Sequence, residues 1–102
     1  MTEPRASRTV VVRNPQGLHA RPADRFARLA GRFDATIELV KGGERVDGKS
    51  VLNILTLAAV QGTSLGLEAE GHDAEEATQA LAELVEKNFE ENEEVTDQEP
   101  ST

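Results

Sequence analysis

The spacing of hydrophobic residues changes from one short segment to the next between residues 9 and 89. Segments with a period of two, typical of half-buried strands, alternate with segments that have the three-to-four spacing of amphipathic helices. In chain order, this spacing predicts strand 9–13, a helix from residue 22 to about 33, strands 35–40 and 44–46, helix 50–60, strand 64–70 and a last helix 73–89. The order is β-α-β-β-α-β-α. Strands with one apolar and one polar face need helices on one side only, which predicts an open two-layer α/β sandwich.

The length and the distribution of charge indicate how the chain is divided. A chain of 102 residues is enough for one small domain. The net charge is −8, but residues 90–102 hold six acidic residues and no basic one, and the rest of the chain has 13 acidic and 11 basic residues. We therefore expect a flexible N-terminus at 1–8, a folded domain at 9–89 and an acidic, disordered tail at 90–102. The nearly neutral body gives no support to nucleic-acid binding.

Several missing features restrict the chemistry and the location. The chain has no cysteine, which excludes disulfides, thiolate zinc sites and cysteine nucleophiles. Neither a metal nor a cofactor is expected. No apolar run approaches the roughly 20 residues of a membrane span, and the first residues, M-T-E-P-R-A-S-R, do not have the pattern of a signal peptide. We expect a cytoplasmic protein without membrane insertion.

The segment G-L-H-A-R-P-A at 17–23 carries the strongest chemical signal. His19 precedes a helix that is expected to begin near Pro22, and the start of a helix favours anions. Arg21 can hold phosphate oxygens, and a neutral imidazole nitrogen is a nucleophile toward a phosphoryl group. These residues predict a phosphorylated His19 with Arg21 stabilising the phosphate. A histidine that only caps the helix or packs on the sheet is the alternative. His72 is expected to be structural.

Two surfaces have the character of partner-binding sites. Arg21, Arg25, Arg28 and Arg32 share one face of the first helix and predict a basic stripe that attracts an acidic partner. The second helix is apolar on more sides than a single sheet can cover. We therefore expect part of Val51, Leu52 and Leu55 to stay exposed as a docking patch.

Ser50 lies at the expected start of the second helix and has two interpretations. It is a good helix N-cap, which contributes about 1 kcal/mol. It is also a candidate phosphorylation site beside the apolar patch, where a phosphate would disturb docking more than folding.

Together these motifs resemble the HPr family, the phosphocarriers of the bacterial phosphoenolpyruvate-dependent sugar phosphotransferase system. N-P-Q-G-L-H-A-R-P-A is similar to the phosphohistidine signature of that family, and K-S-V-L-N-I-L-T-L-A-A-V-Q-G-T to its regulatory-serine signature. The resemblance, from about Thr9 to Phe89, implies an α/β (α+β) open-faced β-sandwich with a four-stranded antiparallel sheet covered on one face by three helices. It further implies phosphorylation of His19 on Nδ1, assistance by Arg21, and modification of Ser50 by an HPr kinase/phosphorylase.

The same resemblance implies the partners and the kind of activity. Enzyme I would be the phosphoryl donor and IIA domains of sugar permeases the acceptors. We expect a monomer that acts as a phosphoryl carrier rather than as a free-standing enzyme. Two alternatives remain open from the sequence, namely a regulatory HPr-like binding module and a carrier in a nitrogen-related phosphorelay that is not coupled to sugar uptake.

Overall fold

A computed structural model describes residues 3–89 of the chain, so the acidic segment 90–102 that was expected to be disordered lies outside the described residues. The elements follow the predicted order. They are β1 Arg5–Val11, α1 Ala20–Ala30, β2 Thr36–Lys41, β3 Glu44–Asp47, α2 Val51–Thr56, β4 Ser64–Glu70 and α3 Ala74–Glu86. The four strands form one antiparallel sheet in the order β1-β4-β2-β3. The expected open-faced sandwich, with its four-stranded sheet and three helices, is confirmed.

The alternation of the strand residues explains why one face of the sheet is covered. Leu65 and Leu67 of β4 and Ile37 and Leu39 of β2 are no more than 1% exposed, and they pack against α1 and α3. On the other face the register aligns Ser7, Glu68, Glu38 and Asp47 across the four strands. Polar side chains there need no cover, which leaves this face of the sheet open.

Strand β1 is longer at its beginning than the sequence predicted. It begins at Arg5 rather than at Thr9, because residues 5–8 pair in register with Glu70 to Leu67 of β4. Four of the residues assigned to a flexible N-terminus therefore belong to the sheet. The sequence pattern missed these residues because they show no alternation of apolar and polar side chains. Backbone hydrogen bonds to β4 hold them in the sheet, and such bonds do not depend on side-chain type.

Helix α2 is shorter than predicted. It spans six residues and ends at the C-cap Leu57, whereas the sequence pattern continued to residue 60. Ala58 then has a φ of +50°, a left-handed conformation that cannot continue an α-helix. The residues after this point form a loop that is hydrogen-bonded to the segment before α1. Within residues 3–89, no helix has the length and the apolar character needed to cross a bilayer.

Candidate functional site

The loop before α1 is held in a single conformation by its own turn. Asn14 accepts a backbone hydrogen bond from Gly17 at 3.0 Å, and its side-chain Nδ2 donates to the Gly17 oxygen at 2.6 Å. Gly17 has a φ of +72°, which a residue with a Cβ adopts only with strain. A Cβ at this position would also overlap the carbonyl oxygen of Ala59. Glycine is therefore required here both by the turn and by the close approach of a second loop.

That second loop, residues 57–62, supports the first one through backbone hydrogen bonds. The Leu18 N–H donates to the Ala59 oxygen at 2.9 Å, and the Gly62 N–H donates to the Val12 oxygen at 2.7 Å. Gln61 Nε2 donates to the Arg13 oxygen at 3.0 Å. The left-handed conformation of Ala58 thus brings the segment after α2 into contact with the loop that carries His19.

His19 is the N-cap of α1 and not merely a loop residue before it. Its carbonyl oxygen accepts from the Ala23 N–H at 3.0 Å, but its side chain makes no capping hydrogen bond. The residue is exposed, and the first turn of α1 contains no acidic residue. Pro22 lies in that turn, where a missing N–H costs nothing. The structure therefore does not support the alternative in which the imidazole caps the helix, and it leaves the ring at the positive end of the helix.

A shallow depression of about 260 Å³ opens beside His19. It is lined by Asn14, Gln16, His19, Arg21, Pro22, Arg25, Asn88 and Phe89. Arg21 is exposed, whereas Arg25 is half-buried and its Nη1 donates to the Phe89 oxygen at 2.8 Å. Two cationic side chains and the helix start therefore surround the imidazole, an arrangement suited to holding a phosphoryl group on it.

Four residues of this depression, namely Asn14, Gln16, Asn88 and Phe89, were not singled out from the sequence. Asn14 had been assigned to a turn, but its Oδ1 is buried and has no hydrogen-bond partner among residues 3–89. Asn88 and Phe89 reach the site because both adopt left-handed backbone conformations, with φ of +57° and +65°, after the end of α3. Asn88 is a sequence signal for this turn, because asparagine, after glycine, is the residue that commonly adopts a left-handed conformation just past a helix end, whereas Phe89 carries no such signal.

The remaining residues of the predicted basic stripe follow α1 away from the site. Arg28 lies on α1, whereas Arg32 lies beyond its C-cap Gly31, because the helix ends at Ala30 and not near residue 33 as predicted. Both side chains are exposed. Arg28 Nε forms an ion pair with Asp24 Oδ2 at 2.9 Å, one helical turn earlier. An exposed pair of this kind contributes little to stability, so it leaves the stripe available to other anions.

The apolar patch on α2 is only partly as predicted. Leu52 is 74% exposed, whereas Val51 and Leu55 are half-buried against the core. Val60 was not predicted to belong to the patch, yet it is 66% exposed, because the chain leaves the helix before reaching it. Ser50 is the N-cap of α2, and its Oγ accepts from the Asn53 N–H at 3.2 Å.

His72 lies in a different environment, at the start of α3. Its Nε2 is 2.9 Å from Asp34 Oδ2, and this hydrogen bond, reinforced by the charge of Asp73, raises the pKa of His72. Asp73 and Glu76 have the spacing of a capping box, but Asp73 makes no side-chain capping bond. Its carboxylate instead accepts from the N–H groups of Asp34 and Ala35, both at 2.9 Å. The Asp34 hydrogen bond is the main cause that lowers the pKa of Asp73.

One group of potential metal ligands occurs within residues 3–89, and it is this same cluster. Ligand atoms of Asp34, His72 and Asp73 lie within 4.8 Å of one another. Their hydrogen bonds join the loop before β2 to the turn before α3, which gives the three side chains a structural role.

Comparison with known proteins agrees with the fold. Residues 6–87 match the family model described as the PTS HPr component phosphorylation site. The phosphocarrier protein HPr of Pseudomonas aeruginosa is 41% identical over 85 residues, which cover 82% of this chain and 94% of that protein. The crystal structure of HPr-C-His from Thermoanaerobacter tengcongensis has a TM-score of 0.80 and 40% identity, with 82% of this chain and 94% of that chain covered.

A longer protein contains a similar segment. The phosphoryl donor subunit DhaM of a PEP-dependent dihydroxyacetone kinase from Providencia stuartii is 45% identical over 87 residues, or 85% of this chain, but the match spans only 18% of that protein. The fold and the matched region define a phosphocarrier of the phosphotransferase system. The chain belongs to the HPr family.

Proposed function

We propose that His19 accepts a phosphoryl group from phospho-Enzyme I and donates it to IIA domains of sugar permeases in the cytoplasm. The observation that carries this proposal is the exposed imidazole of His19 at a helix N-terminus whose first turn holds Arg21 and no acid. The imidazole nitrogen forms a bond to phosphorus as the bond between phosphorus and the donor breaks. The same exchange with an acceptor returns the free imidazole.

Each part of the site has a role in this exchange. The N-terminus of α1 favours the negative charge of the phosphoryl group, and the Arg21 guanidinium stabilises its oxygens. The site lies on the surface beside a shallow depression, so the exchange takes place within a complex of two proteins. Arg25 and Arg28 on α1 and Val51, Leu52 and Leu55 around α2 provide the surface against which a partner docks. We propose that the carrier acts as a monomer.

Labelling with phosphoenolpyruvate and Enzyme I tests the proposal directly. The parent protein and His72→Ala should acquire an acid-labile, base-stable phosphate, and His19→Ala should acquire none. His72→Ala is the matched control, because it removes the other histidine of the chain. Label retained by His19→Ala would refute the assignment. A parent protein that takes no label from Enzyme I would instead favour the regulatory binding module.

The identity of the phosphoryl acceptor is a separate question, because the names of the relatives point to different pathways. A phosphocarrier protein NPr of Shewanella violacea is 40% identical over 84 residues, and the DhaM protein is named for dihydroxyacetone phosphorylation. We assign the sugar branch, and the nitrogen-related relay is the second candidate. Transfer from labelled protein to purified IIA domains of each branch distinguishes them, and faster transfer to a nitrogen-branch IIA domain would reverse the assignment.

Ser50 is proposed as a regulatory phosphorylation site for an HPr kinase/phosphorylase. Its Oγ caps α2 one residue before Val51 and two before the exposed Leu52. Ser50→Asp should keep the fold, because aspartate is as good an N-cap as serine. It should weaken docking by about 1–3 kcal/mol, because a partner covering the patch must desolvate the new charge.

Ser50→Ala is the control that separates the two roles of this residue. It should lose about 1 kcal/mol of stability through the missing cap and should accept phosphate at the parent rate. Thermal melting and transfer kinetics of both variants provide the measurement. If Ser50→Asp also accepts phosphate at the parent rate, Ser50 acts as a helix cap and not as a switch.

A further inference from the structure

The chain leaves the folded domain at the edge of the phosphorylation site. After α3 ends at Glu86, Asn88 and Phe89 turn through left-handed conformations, and the Phe89 N–H donates to the Leu84 oxygen at 2.8 Å. Phe89 is 4% exposed and lines the depression beside His19. These contacts fix the point from which residues 90–102 begin.

The last described residue, Phe89, contacts a cation of the site. Glu90 is joined to the Phe89 carbonyl group, whose oxygen accepts from Arg25 at 2.8 Å. Arg21 and Arg28 are one helical turn from Arg25 on either side and about 10 Å apart along α1. A segment of 13 residues can extend over about 45 Å, so it can follow the whole stripe.

The charge of residues 90–102 is complementary to that of the arginine stripe. Residues 90–102 contain six acidic residues and no basic one, namely Glu90, Glu91, Glu93, Glu94, Asp97 and Glu99. The stripe comprises Arg21, Arg25 and Arg28 on α1 and Arg32 just beyond its C-cap Gly31, with Asp24 as the single acidic residue between them. A tether of this length produces a high effective concentration, so weak contacts are sufficient for occupancy.

The other exposed arginines of the sheet provide no equivalent surface. On the open face, Arg45 contacts Glu38 and Glu68, and Arg5 lies 3.5 Å from Glu70. An acidic segment approaching this face meets three carboxylates as well as two cations. The stripe has one carboxylate, Asp24, which pairs with Arg28, against four cations, and it is therefore the electrostatically favoured destination.

We propose that residues 90–102 dock on the Arg21–Arg25–Arg28–Arg32 stripe and compete there with anionic partners. The family match ends at residue 87, so this contact is a property of the present chain beyond the matched domain. The docking itself follows from charge and position, whereas its effect on transfer rests on the proposed function of His19. A partner protein displaces the segment when it binds, which makes acceptance of phosphate slower and more dependent on salt.

Paramagnetic relaxation in the full chain tests the docking without any partner. The chain has no cysteine, so Thr96→Cys carries a single nitroxide label. The label should broaden the backbone amide signals of α1 and spare Ser7 and Glu38 on the open face, and high salt should abolish the effect. The matched control keeps the label and the length but replaces the five glutamates of the segment by glutamine and Asp97 by asparagine.

The outcomes of that comparison are distinct. Broadening of α1 with the acidic segment but not with the neutral one supports docking. Equal broadening with both segments, broadening centred on the open face, or no broadening would overturn it. The experiment requires no phosphate, so its failure is separable from a failure of His19 to accept a phosphoryl group.

Transfer kinetics then test the competition. Removing residues 90–102, or neutralising their acids, should speed acceptance of phosphate from Enzyme I about threefold to tenfold at about 0.02 M salt. The ratio should approach one at about 0.5 M salt. The melting temperature should remain within a few degrees of the parent, because the segment is too polar to add to the core. An unchanged rate at low salt would contradict the competition.

Discussion

The two histidines of this chain both lie at helix starts, and their surroundings are opposite in charge. His19 is the N-cap of α1, whose first turn has no acid, and the site beside it is lined by Arg21 and Arg25. His72 precedes α3, whose first turn contains Glu75 and Glu76, and it is bonded to Asp34. The positive end of α3 already has carboxylates around it, whereas that of α1 is surrounded by cations. The helix start alone does not make a phosphate site, and the nearby charges decide which histidine is suited to an anion.

Reversing one charge would remove the electrostatic contrast between the two helix starts. Arg21→Glu puts an acid into the first turn of α1, as α3 already has. We expect phosphoryl transfer to fall about 100-fold or more, because the phosphate loses a cation and gains a like charge, and each tenfold corresponds to about 1.4 kcal/mol. The melting temperature should hold or rise slightly, because acids stabilise a helix N-terminus.

Arg32→Glu is the control for this charge reversal, because it makes the same change beyond the C-cap of α1, at the end of the helix opposite to His19. Transfer kinetics and thermal melting of both variants provide the test. An equal slowing by Arg32→Glu would mean that the overall charge of α1, and not the contact at His19, determines the rate.

The sequence could predict the contrast between the histidines, but not how the His19 loop is held. The motif at 17–23 and the alternating strands depend on local residue types, which is why both were predicted. The support of Gly17 by Ala59, and the approach of Asn88 and Phe89, depend on left-handed turns at Ala58, Asn88 and Phe89. Asparagine favours such a conformation, whereas alanine and phenylalanine do not, so tertiary contacts select the turns at Ala58 and Phe89.

The same limit applies to the role of the Asp73 side chain at the start of α3. Asp73 with Glu76 has the spacing of a capping box, and the sequence alone shows no competing partner. In the structure the Asp73 carboxylate is used by the backbone of Asp34 and Ala35, almost 40 residues earlier in the chain. Only the folded arrangement brings these donors within reach.

Gly17→Ala tests whether the His19 end depends on the fit between its two loops. The substitution combines a φ of +72° with a clash against Ala59, so we expect a loss of about 2 kcal/mol more than for Gly42→Ala. Gly42 is the matched control, since its φ is +58° but nothing lies within 4 Å of a Cβ there. Thermal melting gives the stability difference.

The transfer rate of the two glycine variants adds a functional measurement. Gly17→Ala should slow transfer, because the displaced loop carries His19, whereas Gly42→Ala in the β2–β3 turn should leave the rate unchanged. Equal losses of stability in both variants would show that the loop moves aside at no cost and that the contact with Ala59 does not position the histidine.

The smallest effect is expected at the other histidine, and it depends on pH. The hydrogen bond to Asp34 raises the pKa of His72 above 6.5, so the folded protein binds this proton more tightly than the unfolded chain does. The stability from the charged pair is therefore fully present below pH 6.5 and is lost as the pH rises through the raised pKa. His72→Gln should lower the melting temperature relative to the parent at about pH 5.5, and the difference should shrink by about pH 8.5.

Asp34→Asn should reproduce this pH dependence, because it removes the other member of the pair. Glutamine can still donate a neutral hydrogen bond, so the change of the difference with pH, and not its value at one pH, reports the charge. A difference that stays constant between these pH values would show that His72 contributes only a neutral contact, and the electrostatic contrast with His19 would then rest on the carboxylates of α3 alone.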